Sequence, residues 1–177
     1  MAQGGGIFTT FTVPRGSEAD SSLRAINRDL IAALGLLRGV AHAEFIQANS
    51  DRNFYFLECA ARVGGAYISE MVEAATGINL WREWARIEVA GDDGSYKLPP
   101  VREDYAGVIV SLARQEEPDT SAYNDPEVYI RIKKHHHAGL VLKSTDPERI
   151  PALLENYARR FAEEFLAIQP PRDKPTA

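Results

Sequence analysis

Cysteine is nearly absent: Cys59 is the only one in 177 residues, so no internal disulfide can form, and a reducing compartment is the expectation. Long apolar runs are missing too. No stretch of about 18 apolar residues and no leader-type segment can be read in the chain, which leaves a cytoplasmic location without a membrane partner as the expectation. Nor is there an excess of positive charge. Against 25 acidic residues stand 20 Lys and Arg, for a formal charge of −5 and a pI near 5.4, which argues against nucleic-acid binding by phosphate neutralisation. Internal repeats and low-complexity tracts are lacking beyond the glycines of MAQGGG. What is present is ordinary globular content, 45% hydrophobic and 9% aromatic, enough for one compact domain or two small ones.

The pattern along the chain is mixed. IFTTFTV alternates like a short strand and stops at Pro14-Arg15-Gly16-Ser17. From Ser17 to Leu37, apolar residues (Leu23, Ile26, Leu30, Ala33, Leu34, Leu37) recur at spacings of three and four, predicting an amphipathic helix with Ser17 as N-cap. AHAEFIQA and FYFLECA flank the polar turn NSDRN, a β-hairpin pattern. AYISEMVEAATG and INLWREWARIEVAG then read as two helices, with Trp81, Trp84 and Ile87 expected to pack on one side. Asp92-Asp93-Gly94 and Pro99-Pro100 mark the clearest break, which suggests units of 1–92 and 93–177. The second would carry strands GVIVSLA, VYIRIKK and AGLVLKS, then a helix from Asp146 to about Ile168 and a frayed tail PPRDKPTA. The fold class expected is α+β, an antiparallel sheet with packed helices.

The hairpin carries the chemistry. With its loop centred on Asp51, cross-strand partners have numbers summing to 102, so Glu44 faces Glu58. Directly opposed residues lie about 5 Å apart, where two carboxylates repel by roughly 3 kcal/mol at an effective dielectric near 20. Such a couple holds a proton or recruits a cation. Hard oxygen ligands suit Mg²⁺, which takes one or two carboxylates and completes its octahedron with water and substrate phosphates. Two other readings stand beside this one: an exposed pair screened by water, or a bulge that sends the acids to opposite faces. Arg62, four residues after Glu58, and the pair Gly64-Gly65 weigh towards a site, since an arginine fork grips phosphoryl oxygens and glycines let backbone N–H groups approach an anion.

In this order, the segment GVAHAEFIQANSDRNFYFLECAARVGGAYISEMVEAATGINLW, Gly39 to Trp81, resembles the C-terminal half of the nucleotide-binding module of ATP-grasp enzymes. In that superfamily a hairpin bears one acid on each strand, and the second strand runs on through an asparagine and an arginine to glycines. Both acids and the arginine match, while Ala60 stands where the asparagine is usual. The resemblance implies ATP and Mg²⁺ (or Mn²⁺) as cofactors, with Glu44 and Glu58 as metal ligands, Arg62 at the γ-phosphate or acyl-phosphate, Gly64 and Gly65 beside the phosphates, and Leu57 against the adenine. It implies ligation of a carboxylate substrate to an amine or thiol through an acyl-phosphate. Ala60 puts the second metal position in doubt.

The same resemblance expects an upstream half with a glycine-rich lid and a phosphate-binding lysine, and no such loop occurs here. A fragment, or one half of a two-chain assembly, is therefore expected, inactive by itself. A non-catalytic interaction domain is the alternative, with an exposed apolar face that drives homodimerisation or partner binding. Lesser candidates read as follows. His135, His136 and His137 form either a metal cluster or, with no companion acid at ligand spacing, a solvated one. Cys59 reads as a small buried hydrophobe. Two residues before Glu44, His42 sits on its face, either hydrogen-bonded behind a metal-bound carboxylate or as an ordinary surface histidine. Glu116, Glu117 and Asp119 read as a solvated connection.

Overall fold

The computed structural model describes residues 6–91 and 94–168, so Asp92, Asp93 and the PPRDKPTA tail lie outside it. The chain forms β1 (Ile7–Phe11), α1 (Glu18–Ala33), β2 (His42–Gln47), β3 (Phe54–Ala60), α2 (Ile68–Thr76), α3 (Leu80–Ala90), β4 (Tyr105–Leu112), β5 (Val128–Arg131), β6 (His137–Ser144) and α4 (Arg149–Glu164). This is the expected α+β class with antiparallel sheets. The chain divides into Val13–Arg102 and a unit made of Met1–Thr12 with Glu103–Ala177. The boundary therefore differs from the break at 92/93. β1 does not open the first unit, because it pairs along its whole length with β4, Phe11 opposite Gly107 and Ile7 opposite Ser111.

The sheet unit orders its strands β1-β4-β6-β5, and α4 packs on β4, β1 and β6. Close approach of the helix requires Gly107: a Cβ there would come within 2.6 Å of Ile150 Cγ2 and 2.9 Å of Leu154 Cδ1. Beneath α4 lies a dense core of Ile109, Leu140, Leu142, Ile150, Leu154 and Phe161. Tyr123 meets Tyr157 and Phe161 edge-on at ring separations of 4.9 and 5.0 Å, the geometry that aromatic quadrupoles favour. Arg149 at the start of α4 binds Asp125 and Glu127, and the Tyr157 hydroxyl donates to Asp125, which ties the helix to the segment before β5.

In the hairpin unit Ser17 caps α1 as predicted, its Oγ accepting from Asp20 N. The helix ends at Ala33 rather than Leu37. Gly35 turns the chain with φ +65° and leaves Leu37 94% exposed. Asn79 caps α3. The face that α3 buries carries Glu83, 2% exposed, rather than its tryptophans. Trp81 is 56% exposed and stacks on the half-buried Trp84 at 6.2 Å, so the two pack on one side as expected but at the surface. Glu83 can be buried because Arg82, Arg86 and the Tyr96 hydroxyl all reach its carboxylate within 3.2 Å. Burial alone would raise its pKa, but the Arg82 hydrogen bond, the Arg86 charge and Tyr96 outweigh it and hold the group below its ordinary value.

Candidate active site

The β2–β3 hairpin begins with its loop. Asp51 accepts hydrogen bonds from Asn53 N at 2.9 Å and Tyr55 Oη at 2.7 Å, with Tyr55 the larger influence in holding its carboxyl below the usual range. Ala48 N donates to Asn53 O, closing the turn around Asp51. From this anchor the strands pair as Gln47↔Phe54, Ile46↔Tyr55 and Phe45↔Phe56, and then the register shifts. Leu57 is the extra residue of this bulge, and beyond it the pairing resumes as Glu44↔Glu58, Ala43↔Cys59 and His42↔Ala60. The bulge falls on the loop side of the two acids, so Glu44 and Glu58 stand directly opposite each other.

Their surroundings leave the charge of the pair largely uncompensated. Glu58 is exposed and, among the described residues, has neither an ion pair nor a hydrogen bond. Glu44 is half-exposed and meets His42, whose Nε2 lies 3.1 Å from its Oε1. No cluster of three or more His, Cys, Asp or Glu able to hold a metal occurs among the described residues. Two opposed hard oxygen donors fit a divalent cation that takes the rest of its sphere from water and phosphate oxygens, the habit of Mg²⁺.

The other predicted residues take varied positions. Arg62 follows β3 on the surface and donates from Nη1 to Val63 O at 3.1 Å; it makes no ion pair with either acid. Gly65 is exposed, with open space where a Cβ would stand. Gly64 is buried beneath the His42 ring, because a Cβ there would lie 3.0 Å from Nδ1 and 3.3 Å from Cε1. The turn into α2 then passes through Ala66 and Tyr67, both left-handed at φ +51° and +62°. Leu57 is 54% exposed at the bulge. Cys59 is half-buried, and Ala60 pairs with His42. The contact between His42 and Gly64 was not foreseen. Only the spacing of His42 from Glu44 pointed towards it.

His135 and His136 are exposed at the β5–β6 turn, with His135 Nδ1 3.4 Å from Glu116 Oε1, and the half-buried His137 opens β6. No described helix is long and apolar enough to cross a membrane.

No protein-family model matches the sequence, and no curated protein does. Solved structures do match. An L-amino acid ligase from Bacillus licheniformis superposes with a TM-score of 0.65 at 16% identity, over 93% of this chain and 44% of the ligase. A phosphoribosylglycinamide synthetase from Anaerococcus prevotii superposes with a TM-score of 0.57 at 15% identity, over 91% of this chain and 44% of the synthetase. The likeness is one of fold, and the chain spans less than half the length of either structure.

Proposed function

We propose that this chain is the metal- and phosphate-binding part of an ATP-dependent ligase that joins a carboxylate to an amine or thiol. The observation that carries the reading is the direct opposition of Glu44 and Glu58, with Arg62 and Gly64-Gly65 following in the segment after β3. Mg²⁺ or Mn²⁺ would be held by the two carboxylates, and the ion would supply charge neutralisation at the ATP phosphates. Arg62, unpaired with either acid, is free to leave Val63 O for a phosphoryl oxygen, and the open backbone at Gly65 admits an anion. Leu57, at the bulge beside Glu58, would offer an apolar contact to the adenine. In the reaction the substrate carboxylate attacks the γ-phosphorus and ADP leaves. The amine or thiol then attacks the carbonyl carbon of the acyl-phosphate, and inorganic phosphate departs. For both steps the chain's part is electrostatic positioning.

A second polypeptide half, covalently continuous or separate, would complete the ATP site. Support comes from the 44% coverage of both ligase structures and from the exposed Ile46, Tyr55, Phe56 and Leu57 of the hairpin. The same exposed residues, with Ala60 in place of an amide ligand, favour as a second reading a non-catalytic interaction domain, homodimeric or bound to a partner. Calorimetry of Mg²⁺-ATP binding decides between them: Glu58→Gln and Arg62→Ala each weaken binding under the first reading. Unchanged affinity in both variants leaves the interaction domain, which sedimentation would then show as an assembly.

A further inference from the structure

We infer that His42 is a positioning residue that sets the Glu44 carboxylate for its cation and couples it to the glycine turn after β3; the inference rests on the two-acid reading above. Three observations converge on the ring. It is mostly buried, with 20% of its side chain exposed, although it lies on an otherwise open hairpin. Its Nε2 lies 3.1 Å from Glu44 Oε1, within hydrogen-bond reach. Its other edge is packed against Gly64 so closely that a Cβ there would lie 3.0 Å from Nδ1 and 3.3 Å from Cε1, with Ile68 Cγ2 at 3.2 Å, and the neighbours would have to shift.

These contacts divide the labour between the two carboxylate oxygens. With the proton on Nε2, the imidazole donates to Oε1, which fixes the carboxylate torsion and leaves Oε2 as the oxygen with no protein partner. A glutamate on a two-stranded ribbon otherwise samples several rotamers, and each is a cost when a cation must be gripped. The backbone of Gly64 buttresses the ring from behind, and the cross-strand partner of His42 is Ala60, whose methyl group leaves the ring room. Hydrogen bonds behind a metal-bound carboxylate are a recurrent device, and their loss typically weakens metal affinity about 10–100-fold. Gly64 therefore serves the site through an imidazole as well as through its own N–H. The glycine pair thus splits into two roles, a buttress at Gly64 and open backbone at Gly65.

The test is Mn²⁺ binding to the full chain, read from loss of the free-ion electron paramagnetic resonance signal and needing no turnover. His42→Leu keeps an apolar body against Gly64 but removes the donor, and is expected to weaken Mn²⁺ binding about tenfold or more. His42→Gln, whose amide nitrogen can take the place of Nε2, is expected to restore it to within about twofold of wild type. Gly64→Ala keeps both acids and the imidazole but pushes the ring, and is expected to weaken binding in part. It also supplies the answer should His42→Leu fail to fold. If Leu and Gln behave alike, whether both as wild type or both weak, the hydrogen-bond role is overturned. Glu44→Gln and Glu58→Gln separate the two ideas. Wild-type affinity in those variants, or no Mn²⁺ binding by the unaltered chain, removes the two-acid reading itself; loss in them with an unaffected His42→Leu removes the role of His42 alone.

Discussion

The two units of this chain use their apolar residues in opposite ways. The sheet unit seals many of its large side chains: Tyr123, Tyr157, Phe161, Ile109, Leu140 and Leu142 all have less than 2% of their surface exposed. The hairpin unit displays Leu34, Leu37, Ile46, Tyr55, Phe56, Leu57, Trp81 and Val89, each more than half exposed, and its buried residues include the small Ser69, Ala74 and Ala75 beside Val63, Met71, Ile78 and Glu83. The unit that holds the candidate site is thus the one with the less finished surface. A hairpin of two strands has no neighbour on either edge and is marginal alone, whereas β4 and β6 are each paired on both sides. The difference teaches that apolar surface is withdrawn from water far more completely in the sheet unit than in the hairpin unit.

The comparison breaks most readily by truncating one aromatic in each unit. Phe161→Ala empties a fully buried site and is expected to cost about 3–5 kcal/mol in denaturant unfolding. Phe56, 53% exposed and touching Phe45 edge-on at 6.0 Å, should cost less than about 1 kcal/mol when cut to alanine. Similar losses at both positions would mean that the two units do not differ as described.

Amide hydrogen exchange sharpens the same contrast without mutation. The amides of β4 and β6 are expected to exchange about a hundredfold more slowly than those of β2 and β3, a gap of about 3 kcal/mol in opening free energy. Addition of Mg²⁺-ATP, or of a completing half, should narrow that gap by protecting the hairpin. Equal protection at the outset would overturn the contrast.

How much of this was legible in the sequence depends on how local each feature is. The hairpin could be read because Asp51 pins the loop and the strands are only seven residues or fewer, but the register expected from that loop is one residue off beside it, where Phe45 meets Phe56, and only the bulge brings Glu44 opposite Glu58. That bulge at Leu57 could not be read, since a one-residue irregularity has no mark in an apolar run such as FYFL. Likewise the N-cap at Ser17 is written in a few adjacent residues, while the pairing of β1 with β4 joins positions about a hundred residues apart and has no local signature. Periodicity places Trp81 and Trp84 on one stripe of α3 but does not say which stripe finds a partner; here the buried one holds Glu83. Nor could the left-handed turn at Ala66 and Tyr67, just after Gly64, be read, a conformation non-glycine residues rarely announce.

Glu83 supplies the next test, confined to the hairpin unit. Its folded pKa lies below the ordinary value of 4.5, so the stability it adds is complete above that pH and is lost as pH falls through the folded pKa. Glu83→Gln should cost about 1–3 kcal/mol near neutrality, since Arg82 and Arg86 remain half-exposed and can turn to solvent. Helical circular dichroism of the variant followed from neutral to acid pH should show a shallower loss than the wild type. An unchanged acid profile would place the acid-sensitive group elsewhere.

The sheet unit has a counterpart at the alkaline end. Burial, reinforced by the hydrogen bond to Asp125, pushes Tyr157 up to about 12 from an ordinary 10.0. A raised folded pKa favours the neutral phenol, so its contribution is complete below pH 10.0 and drains away as pH rises towards 12. Tyr157→Phe keeps the ring against Tyr123 and deletes only the donor, leaving Asp125 still paired with Arg149. The expected cost at neutral pH is therefore about 1 kcal/mol. The ultraviolet absorbance of tyrosinate separates this from a general loosening of the core: the variant should lose the late phase near pH 12 and keep both the earlier phases and the still later one of Tyr123, which burial pushes higher. If the late phase persists in Tyr157→Phe, the hydroxyl on Asp125 is not what binds the start of α4 to the segment before β5.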